Sequence, residues 1–187
     1  MASADAARTR LIEIVKVRSF STGGETKLAS GRSSTYYFNM KPSMLHPEGA
    51  HLIATLILDA LQGTEVDLIG GLEMGAVPLA VAAAAQSHAR GRPIHAFFVR
   101  KQAKEHGARK LVEGLAPGET LAGKRVVVLE DVTTTGGSSM KAIEALKAEG
   151  AIVERVITVV DRLEGAADNF KAAGIPFQAL LTTADFR

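Results

Sequence analysis

From residue 66 onward, short apolar runs alternate with segments whose apolar residues have helical spacing. The runs cover 66–71, 94–99, 125–130, 152–160 and 177–181, and the helical segments cover 76–91, 137–150 and 163–174. Strands that alternate with helices form right-handed βαβ units, which build a parallel sheet with helices on its faces. The sequence therefore predicts an α/β fold with a central parallel sheet flanked by helices. Ligands of such sheets bind beyond the carboxyl ends of the strands.

The first 65 residues do not follow this alternation. The sequence predicts a helix over 2–19, a polar loop through Ser34, a strand over 35–41 and a helix over 46–63. Because the first helix, loop and strand fall outside the βαβ pattern, we expect residues 1 to about 45 to form a small cap over the site. The whole chain, residues 1–187, is then one domain.

The composition excludes several classes of protein. With 47% apolar and 22% charged residues, the chain is typical of folded soluble proteins. It contains no cysteine, which excludes disulfides and thiolate metal sites and suits a reducing cytoplasm. The net charge of +2 is too small to indicate a nucleic-acid partner. No segment resembles a signal peptide, and the longest apolar stretch, 75–85, is too short to span a membrane. We expect a cytoplasmic protein without nucleic-acid or membrane partners.

The apolar run 126–129 leads into two adjacent acids, Glu130 and Asp131, and then into a segment of hydroxyls and glycines, 133–138. Glycines let the backbone turn tightly and point successive N–H groups inward, and the following helix N-terminus favours anions. This segment therefore suits a phosphate monoester. Carboxylates repel phosphate, so the acids suit neutral hydroxyls such as those of a ribose, or a developing cation. The alternative is that the acids only cap the helix. Two acids, a run of hydroxyls and two glycines after an apolar strand together favour a ligand site.

Residues 70–78, "GGLEMGAVP", also follow a predicted strand and open a helix. This stretch is either a second anion-binding loop or a simple strand-to-helix connection. The sequence supports the two interpretations about equally. Neither a Walker-type phosphate loop nor a dinucleotide-binding glycine motif occurs in the chain.

Residues 100–114 form a long basic stretch. Its fixed positive charges are Arg100, Lys101, Lys104, Arg109 and Lys110. His106 can add a further charge, and Glu105 and Glu113 oppose them. One alternative is a run of charges exposed to solvent. Another is an RNA contact, although the stretch has no aromatic residues on which bases could stack. Next to a phosphate site, we interpret the stretch as a lid that holds a diphosphate leaving group and excludes water.

Four segments resemble one known family. "VVVLEDVTTTGGSS" (126–139) is similar to the phosphoribosyl-diphosphate (PRPP) motif of type I phosphoribosyltransferases. "RKQAKEHG" (100–107) closely resembles the catalytic loop of the orotate phosphoribosyltransferases. Segments 28–42 and 159–166 resemble the orotate-side segments of that family. The resemblance runs from about Leu11 to the terminus. It implies Mg²⁺-dependent transfer of phosphoribose from PRPP to orotate, in pyrimidine biosynthesis. It also implies a homodimer in which loop 100–114 reaches the partner's active site.

The resemblance also implies a role for individual residues. Those matching diphosphate contacts are Arg100, Lys101, Lys104, His106, Met74 and Gly75. Those matching contacts to the ribose and its 5-phosphate are Glu130, Asp131, Val132, Thr133, Thr134, Thr135, Gly136, Gly137 and Ser138. Those matching orotate contacts are Tyr37, Phe38, Thr134 and Arg162. The implied catalytic groups are Lys104, His106, Glu130 and Asp131, with His106 either a proton donor or an anion contact. Mg²⁺ is expected to be held mostly by substrate oxygens and water, without a dedicated protein ligand.

The chain departs from the family pattern at two positions. Ala29 and Gly75 stand where many or some members have lysine, so positive charge is missing at both places. Lys27 is a weak substitute for the lysine that is missing at position 29.

The sequence leaves three other functions to weigh: phosphoribosyl transfer to another base, a PRPP-sensing regulator, and an RNA-binding module. The basic loop argues against the first, the small size and charge against the second, and the acid pair against the third.

Overall fold

A computed structural model describes residues 4–27, 33–102 and 111–186. The helices are α1 (Ala4–Arg18), α2 (Lys41–Met44), α3 (Pro47–Ala60), α4 (Ala76–Ala89), α5 (Gly137–Ala148) and α6 (Ala166–Ala172). The strands are β1 (Phe20–Lys27), β2 (Ser33–Phe38), β3 (Leu68–Leu72), β4 (His95–Val99), β5 (Val112–Glu113), β6 (Arg125–Thr133), β7 (Ile152–Asp161) and β8 (Phe177–Thr182). A 3-10 turn, Thr183–Phe186, follows β8. Within these ranges, no helix has the length and apolar character needed to cross a membrane.

The main sheet has the strand order β5-β4-β3-β6-β7-β8. Its strands are parallel except β5, which pairs antiparallel with β4 at one edge. The predicted α/β fold with a largely parallel sheet is therefore confirmed. From β3 the chain moves to β4 on one side, and later to β6 on the other side. The strand order thus reverses between β3 and β6. Ligands of such sheets bind at the carboxyl ends of the strands beside this reversal, and we call this place the crevice.

Helices cover both faces of this sheet. One apolar cluster joins α1, α3 and α4 to residues such as Val127 and Leu129 of β6. The other joins α5 and α6 to the alternate residues of the same strand, Val126 and Val128. All four side chains are fully buried, because successive strand residues face opposite sides. A strand buried on both faces has a continuous apolar sequence, which is why this element was predictable.

The N-terminal segment, defined as residues 4–44, contains a separate two-stranded sheet. β1 and β2 pair antiparallel, with Phe20 opposite Phe38. The predicted polar loop through Ser34 was wrong, because residues 20–27 and 33–38 form this hairpin. The sequence of β1, "FSTGGETK", has no apolar alternation and two glycines, which are unfavourable in strands. Pairing with β2 and packing of Phe20 stabilise a strand that local preference does not predict.

The N-terminal segment packs against the C-terminal end of the chain. The rings of Phe20 and Phe38 lie 5.5 and 5.0 Å from that of Phe186, measured between centroids. The side chain of Arg8 donates to the carbonyl oxygen of Leu180 and forms a 2.7 Å ion pair with Asp185. These contacts attach α1 and the β1–β2 hairpin to β8 and the turn after it.

Candidate active site

The acid pair lies inside a strand at its carboxyl end. β6 continues through Glu130 and Asp131 to Thr133, which pairs with Asp161 of β7. The predicted strand ended at residue 130, three residues earlier than the observed one. Because neighbouring strand residues point to opposite faces, the two carboxyl groups have different surroundings. Glu130 is buried, whereas Asp131 is half-buried at the crevice.

Burial governs the protonation of Glu130. Its side chain is covered on the α5 side of the sheet, where the hydroxyl of Ser139 donates to Oε2 at 3.1 Å. Desolvation, followed by repulsion from Asp131, raises the pKa of Glu130 to about 8, although the Ser139 hydrogen bond acts in the opposite direction. Glu130 therefore holds a proton at neutral pH in the substrate-free site. It adds little negative charge beside a bound phosphate.

Asp131 connects two loops at the reversal of strand order. Its Oδ1 accepts a hydrogen bond from the main-chain N–H of Val132 at 2.9 Å. The same oxygen lies 2.6 Å from the position that a Cβ on Gly75 would take. The loop after β3 and the acid at the end of β6 are thus in direct contact. A side chain at position 75 would displace the carboxylate, so the observed position of Asp131 depends on glycine here.

The loop between β3 and α4, residues 73–75, also contacts the beginning of the basic stretch. The peptide bond between Glu73 and Met74 is cis, and Met74 is exposed. Glu73 Oε1 accepts a hydrogen bond from the main-chain N–H of Lys101 at 2.9 Å. Sequence analysis did not single out Glu73. The signal available was an acid inside a loop that otherwise suits an anion.

The basic stretch begins next to this loop. The main-chain N–H of Arg100 donates to Leu111 across the β4–β5 pair, and its guanidinium lies 3.9 Å from the Glu113 carboxylate. The Lys101 side chain is exposed. Of the predicted diphosphate contacts, Arg100, Lys101, Met74 and Gly75 are therefore grouped on one side of the crevice. Lys104 and His106 lie outside the described residues.

The predicted phosphate loop, 133–138, is supported by α6. Gly136 has φ 88°, in the left-handed region that favours glycine. A Cβ at this glycine would lie 2.7 Å from the ring of Phe170. Asn169 donates from Nδ2 to the carbonyl oxygen of Thr135 at 2.9 Å. The loop then enters α5 at Gly137, so the N-terminus of this helix lies at the end of the loop, where it favours an anion.

Sequence analysis missed Ser139, Asn169 and Phe170, which contact the acid pair and the phosphate loop. Ser139 carried a weak signal, since it closes the hydroxyl-rich run. Asn169 and Phe170 lie more than 30 residues further along the chain, and no local pattern links them to this loop.

Of the predicted orotate contacts, Thr134 belongs to the phosphate loop, Arg162 is hydrogen-bonded to the start of that loop, and Tyr37 and Phe38 lie in β2. The main-chain N–H of Arg162 donates to the carbonyl oxygen of Thr133 at 2.9 Å. The guanidinium is buried, donates from Nε to Glu164 at 2.7 Å and lies 4.5 Å above the centroid of the Tyr36 ring. In β2, Tyr36 and Phe38 share one face, whereas Tyr37 is 43% exposed. Tyr36, which sequence analysis did not single out, is thus the ring that contacts Arg162.

The acidic side chains suit a loosely held cation. Among the described residues, no three His, Cys, Asp or Glu side chains are grouped closely enough to hold a metal ion. The carboxyl group of Asp131 lies at the crevice, that of Glu73 lies in the loop at 73–75, and that of Glu130 is buried. This donor set suits Mg²⁺, a hard cation that keeps several waters and binds phosphate oxygens of its substrates.

Comparison with known proteins decides the family. The phosphoribosyl transferase domain family matches residues 43–173. The chain is 59% identical over 184 residues to an orotate phosphoribosyltransferase of Bradyrhizobium diazoefficiens, with 98% of both chains covered. It is 45% identical over 183 residues to one of Sorangium cellulosum, covering 96% of this chain and 92% of that one. The chain belongs to the orotate phosphoribosyltransferase family.

Solved structures of orotate phosphoribosyltransferases share the fold. The Mycobacterium tuberculosis H37Rv enzyme in complex with PRPP superposes with a TM-score of 0.77 at 36% identity, covering 96% of this chain and 98% of that one. The Aeropyrum pernix orotate phosphoribosyltransferase superposes with a TM-score of 0.78 at 29% identity, covering 94% and 95%. The resemblance to this family and the type I phosphoribosyltransferase fold, both predicted from the sequence, are confirmed.

Proposed function

We propose that the protein transfers the 5-phosphoribosyl group of PRPP to orotate, giving orotidine 5′-monophosphate and diphosphate. The reaction forms a bond from C1′ of the ribose to a ring nitrogen of orotate and breaks the bond from C1′ to the diphosphate. The observation that carries the proposal is the contact of Asp131 with Gly75 at the reversal of strand order. It brings the acid pair, the phosphate loop and the loop at 73–75 to one crevice.

The two ends of PRPP would bind on opposite sides of Asp131. Its 5-phosphate fits the loop at 133–138, where backbone N–H groups and the start of α5 favour an anion. Its diphosphate fits between the loop at 73–75 and the basic residues Arg100 and Lys101. Lys104 and His106, assigned from the sequence alone, would neutralise the same leaving group.

The acid pair would act on the ribose between these two anions. Asp131, partly exposed at the crevice, would accept hydrogen bonds from the ribose hydroxyls and stabilise the cation that develops at C1′. Glu130, the second ribose contact that the family resemblance implies, would act as a protonated carboxyl group, because burial raises its pKa. Mg²⁺ would neutralise charge on the diphosphate, and its ligands would be chiefly substrate oxygens and water.

Orotate would bind between the phosphate loop and the N-terminal segment. The guanidinium of Arg162 can hold a carboxylate with two parallel hydrogen bonds. Its stacking on Tyr36 and its ion pair with Glu164 support its orientation. The other predicted orotate contacts are Tyr37, Phe38 and Thr134, and residues 1–45 would form the cap over this side.

We further infer a homodimer in which loop 100–114 reaches the partner's active site, as the family resemblance implies. The place of action would be the cytoplasm, where a cysteine-free chain is at no disadvantage. The pathway would be the synthesis of pyrimidine nucleotides.

The loss of orotate absorbance in the presence of PRPP and Mg²⁺ tests the proposed reaction. Adenine, guanine and uracil serve as alternative acceptors, and the Asp131→Asn variant serves as the control for site chemistry. We expect orotate to be consumed by the unaltered protein and not by the variant. Consumption of another base without consumption of orotate would refute the assignment of the acceptor.

A further inference from the structure

An acid stands in the loop that we assign to the diphosphate. Glu73 is the first residue after β3 and directly precedes Met74 and Gly75. A carboxylate beside a diphosphate weakens binding, because like charges repel. The net positive charge at this loop is already reduced, since Gly75 stands where some family members have lysine. The acid therefore needs an explanation other than contact with the ligand.

Both the main chain and the side chain of Glu73 are bound to the same neighbouring stretch. Its main-chain N–H donates to the carbonyl oxygen of Val99 at 2.8 Å. Its Oε1 accepts from the main-chain N–H of Lys101 at 2.9 Å, across 28 positions of sequence. The Glu73 side chain is half-buried, and its hydrogen bond to Lys101 lies at the exposed surface, with a carboxylate as the acceptor.

The same stretch is held from its other side. Val99 pairs with Val112 in the sheet, and the main-chain N–H of Arg100 donates to Leu111 at 2.8 Å. Residues 99–101 thus lie between β5 and the loop at 73–75. On the Glu73 side, a side-chain oxygen accepts from a main-chain N–H.

We propose that Glu73 is a positioning residue for diphosphate binding. Its carboxylate fixes the main chain of Lys101 against the loop at 73–75, so the Lys101 ammonium group and that loop are presented to the diphosphate together. A side chain that starts from a fixed main-chain position loses less conformational entropy when it binds a ligand. The proposal rests on the proposed function, because it assigns Glu73 to the binding of PRPP.

Two substitutions distinguish the positioning role of Glu73 from an effect of its negative charge. Glu73→Ala removes the acceptor, whereas Glu73→Gln removes the charge and keeps an oxygen that can accept from Lys101. For Glu73→Ala we expect the KM for PRPP and the Kd for inorganic diphosphate to rise about tenfold, as for the loss of one hydrogen bond to a charged acceptor. For Glu73→Gln we expect both constants to stay within about twofold of the unaltered protein. The KM for orotate should change in neither variant.

Hydrogen exchange at the amide of Lys101 gives a readout independent of turnover. Protection should be present in the unaltered protein and in Glu73→Gln, and lost in Glu73→Ala. Glu73→Ser removes the same acceptor and replaces the alanine variant if the latter unfolds. Glu119→Ala is the matched control, because Glu119 accepts from the main-chain N–H of Ala116 at 2.8 Å at the opposite end of the sheet.

Three results would overturn the proposal: unchanged diphosphate binding in Glu73→Ala, equal losses in Glu73→Gln and Glu73→Ala, or tighter binding in both. The second result would assign the effect to charge, and the third to repulsion of the ligand. If the unaltered protein does not convert orotate, the proposed function fails. The diphosphate titration and the Lys101 exchange would then still decide whether Glu73 has the positioning role.

Discussion

Glu130 and Asp131 place two carboxyl groups at the end of a strand that is buried on both faces. Neighbouring negative charges in such a place are unfavourable, and the structure reduces the conflict in two ways. Alternation along β6 directs Glu130 into the protein and leaves Asp131 at the crevice. Burial then raises the pKa of Glu130, so that this group is neutral where it is covered. The two acids are therefore chemically different before any substrate binds.

The protonation of Glu130 predicts a pH-dependent stability. Its pKa is raised from 4.5 to about 8 in the folded protein, so the folded state retains a proton that the unfolded state loses. The free energy of unfolding should therefore fall as the pH rises from about 4.5 to 8. Glu130→Gln keeps the shape without this ionisation. We expect it to be more stable than the unaltered protein at pH 8, by at most about 4 kcal/mol, with the difference disappearing near pH 4.

Urea unfolding across this pH range measures the difference. Glu144→Gln, on the exposed side of α5, is the control for loss of a carboxylate without burial. A stability difference that does not vary with pH would show that Glu130 is ionised in the folded protein.

The contact between Gly75 and Asp131 predicts a large effect of one methyl group. In Gly75→Ala, the added Cβ would lie 2.6 Å from Asp131 Oδ1, so the carboxylate must move. Displacing a catalytic group by about 1 Å lowers the rate up to about 100-fold. We expect kcat/KM to fall by about 10- to 100-fold, with little change in the unfolding midpoint.

A double-mutant cycle tests whether this effect passes through Asp131. In the Asp131→Ala background the clashing oxygen is absent, so Gly75→Ala should cause little further loss of activity or of PRPP binding. Additive losses would mean that Gly75 acts independently of the acid.

At the scale of elements, α6 has no predicted ligand contact and yet supports the phosphate loop. Phe170 fills the space beside Gly136, and Asn169 donates to the main chain at Thr135. A glycine-rich loop has high conformational freedom, so its binding geometry depends on such neighbours. α6 therefore supports the loop that we propose to bind the 5-phosphate, without belonging to that loop.

Asn169→Ala tests this contribution. Because Asn169 is exposed, we expect the free energy of unfolding to fall by no more than about 1 kcal/mol. Loss of its hydrogen bond frees the loop, so the KM for PRPP should rise about three- to tenfold. Steady-state kinetics at saturating orotate measure this constant. Lys171→Ala, an exposed change on the same helix, should leave the constant unaltered.

An element could be predicted from the sequence when its own residues, and not contacts with distant residues, determine its structure. The strands of the parallel sheet are buried on both faces, so their apolar sequences identified them. β1 and the two-residue β5 depend on partner strands and have no such sequences. The predicted β6 was three residues too short, because the observed strand continues into the polar residues of the site. The motif 130–138 could be recognised because its residues are contiguous in sequence. Asn169 and Tyr36 could not, because each contacts the site through a residue far from it in the sequence.

At the scale of the whole molecule, the site is assembled from distant parts of the chain. Tyr36, the loop at 73–75, the residues at 100–101, the loop at 133–138 and Arg162 come from five separate stretches. The main sheet brings four of them together, because loops that follow parallel strands emerge at the same edge. Tyr36 of β2 joins them through its contact with Arg162. The basic loop, residues 100–114, is the exception. From the family resemblance, we expect it to reach the active site of the partner subunit and not that of its own chain.

Subunit mixing tests that expectation. Lys104→Ala removes a predicted contact from the basic loop, and Asp131→Asn alters the site on the sheet, so each variant alone should be nearly inactive. If the loop serves the partner's site, a mixed dimer contains one site with neither change, and activity should return after subunit exchange. Two batches of Asp131→Asn mixed in the same way are the control. Exchange shown by mass spectrometry without recovery of activity would mean that each loop serves its own chain.

The attachment of the N-terminal segment to the end of the chain has a consequence for biosynthesis. Arg8 and its partner Asp185 are 177 positions apart. At about 5–20 residues per second, the ribosome completes that interval in roughly 9 to 35 seconds. Throughout this time Phe20 and Phe38 have no Phe186 to cover them. The nascent chain thus emerges with an apolar surface that chaperones can recognise, and the synthesis of residues 183–186 determines when it is buried.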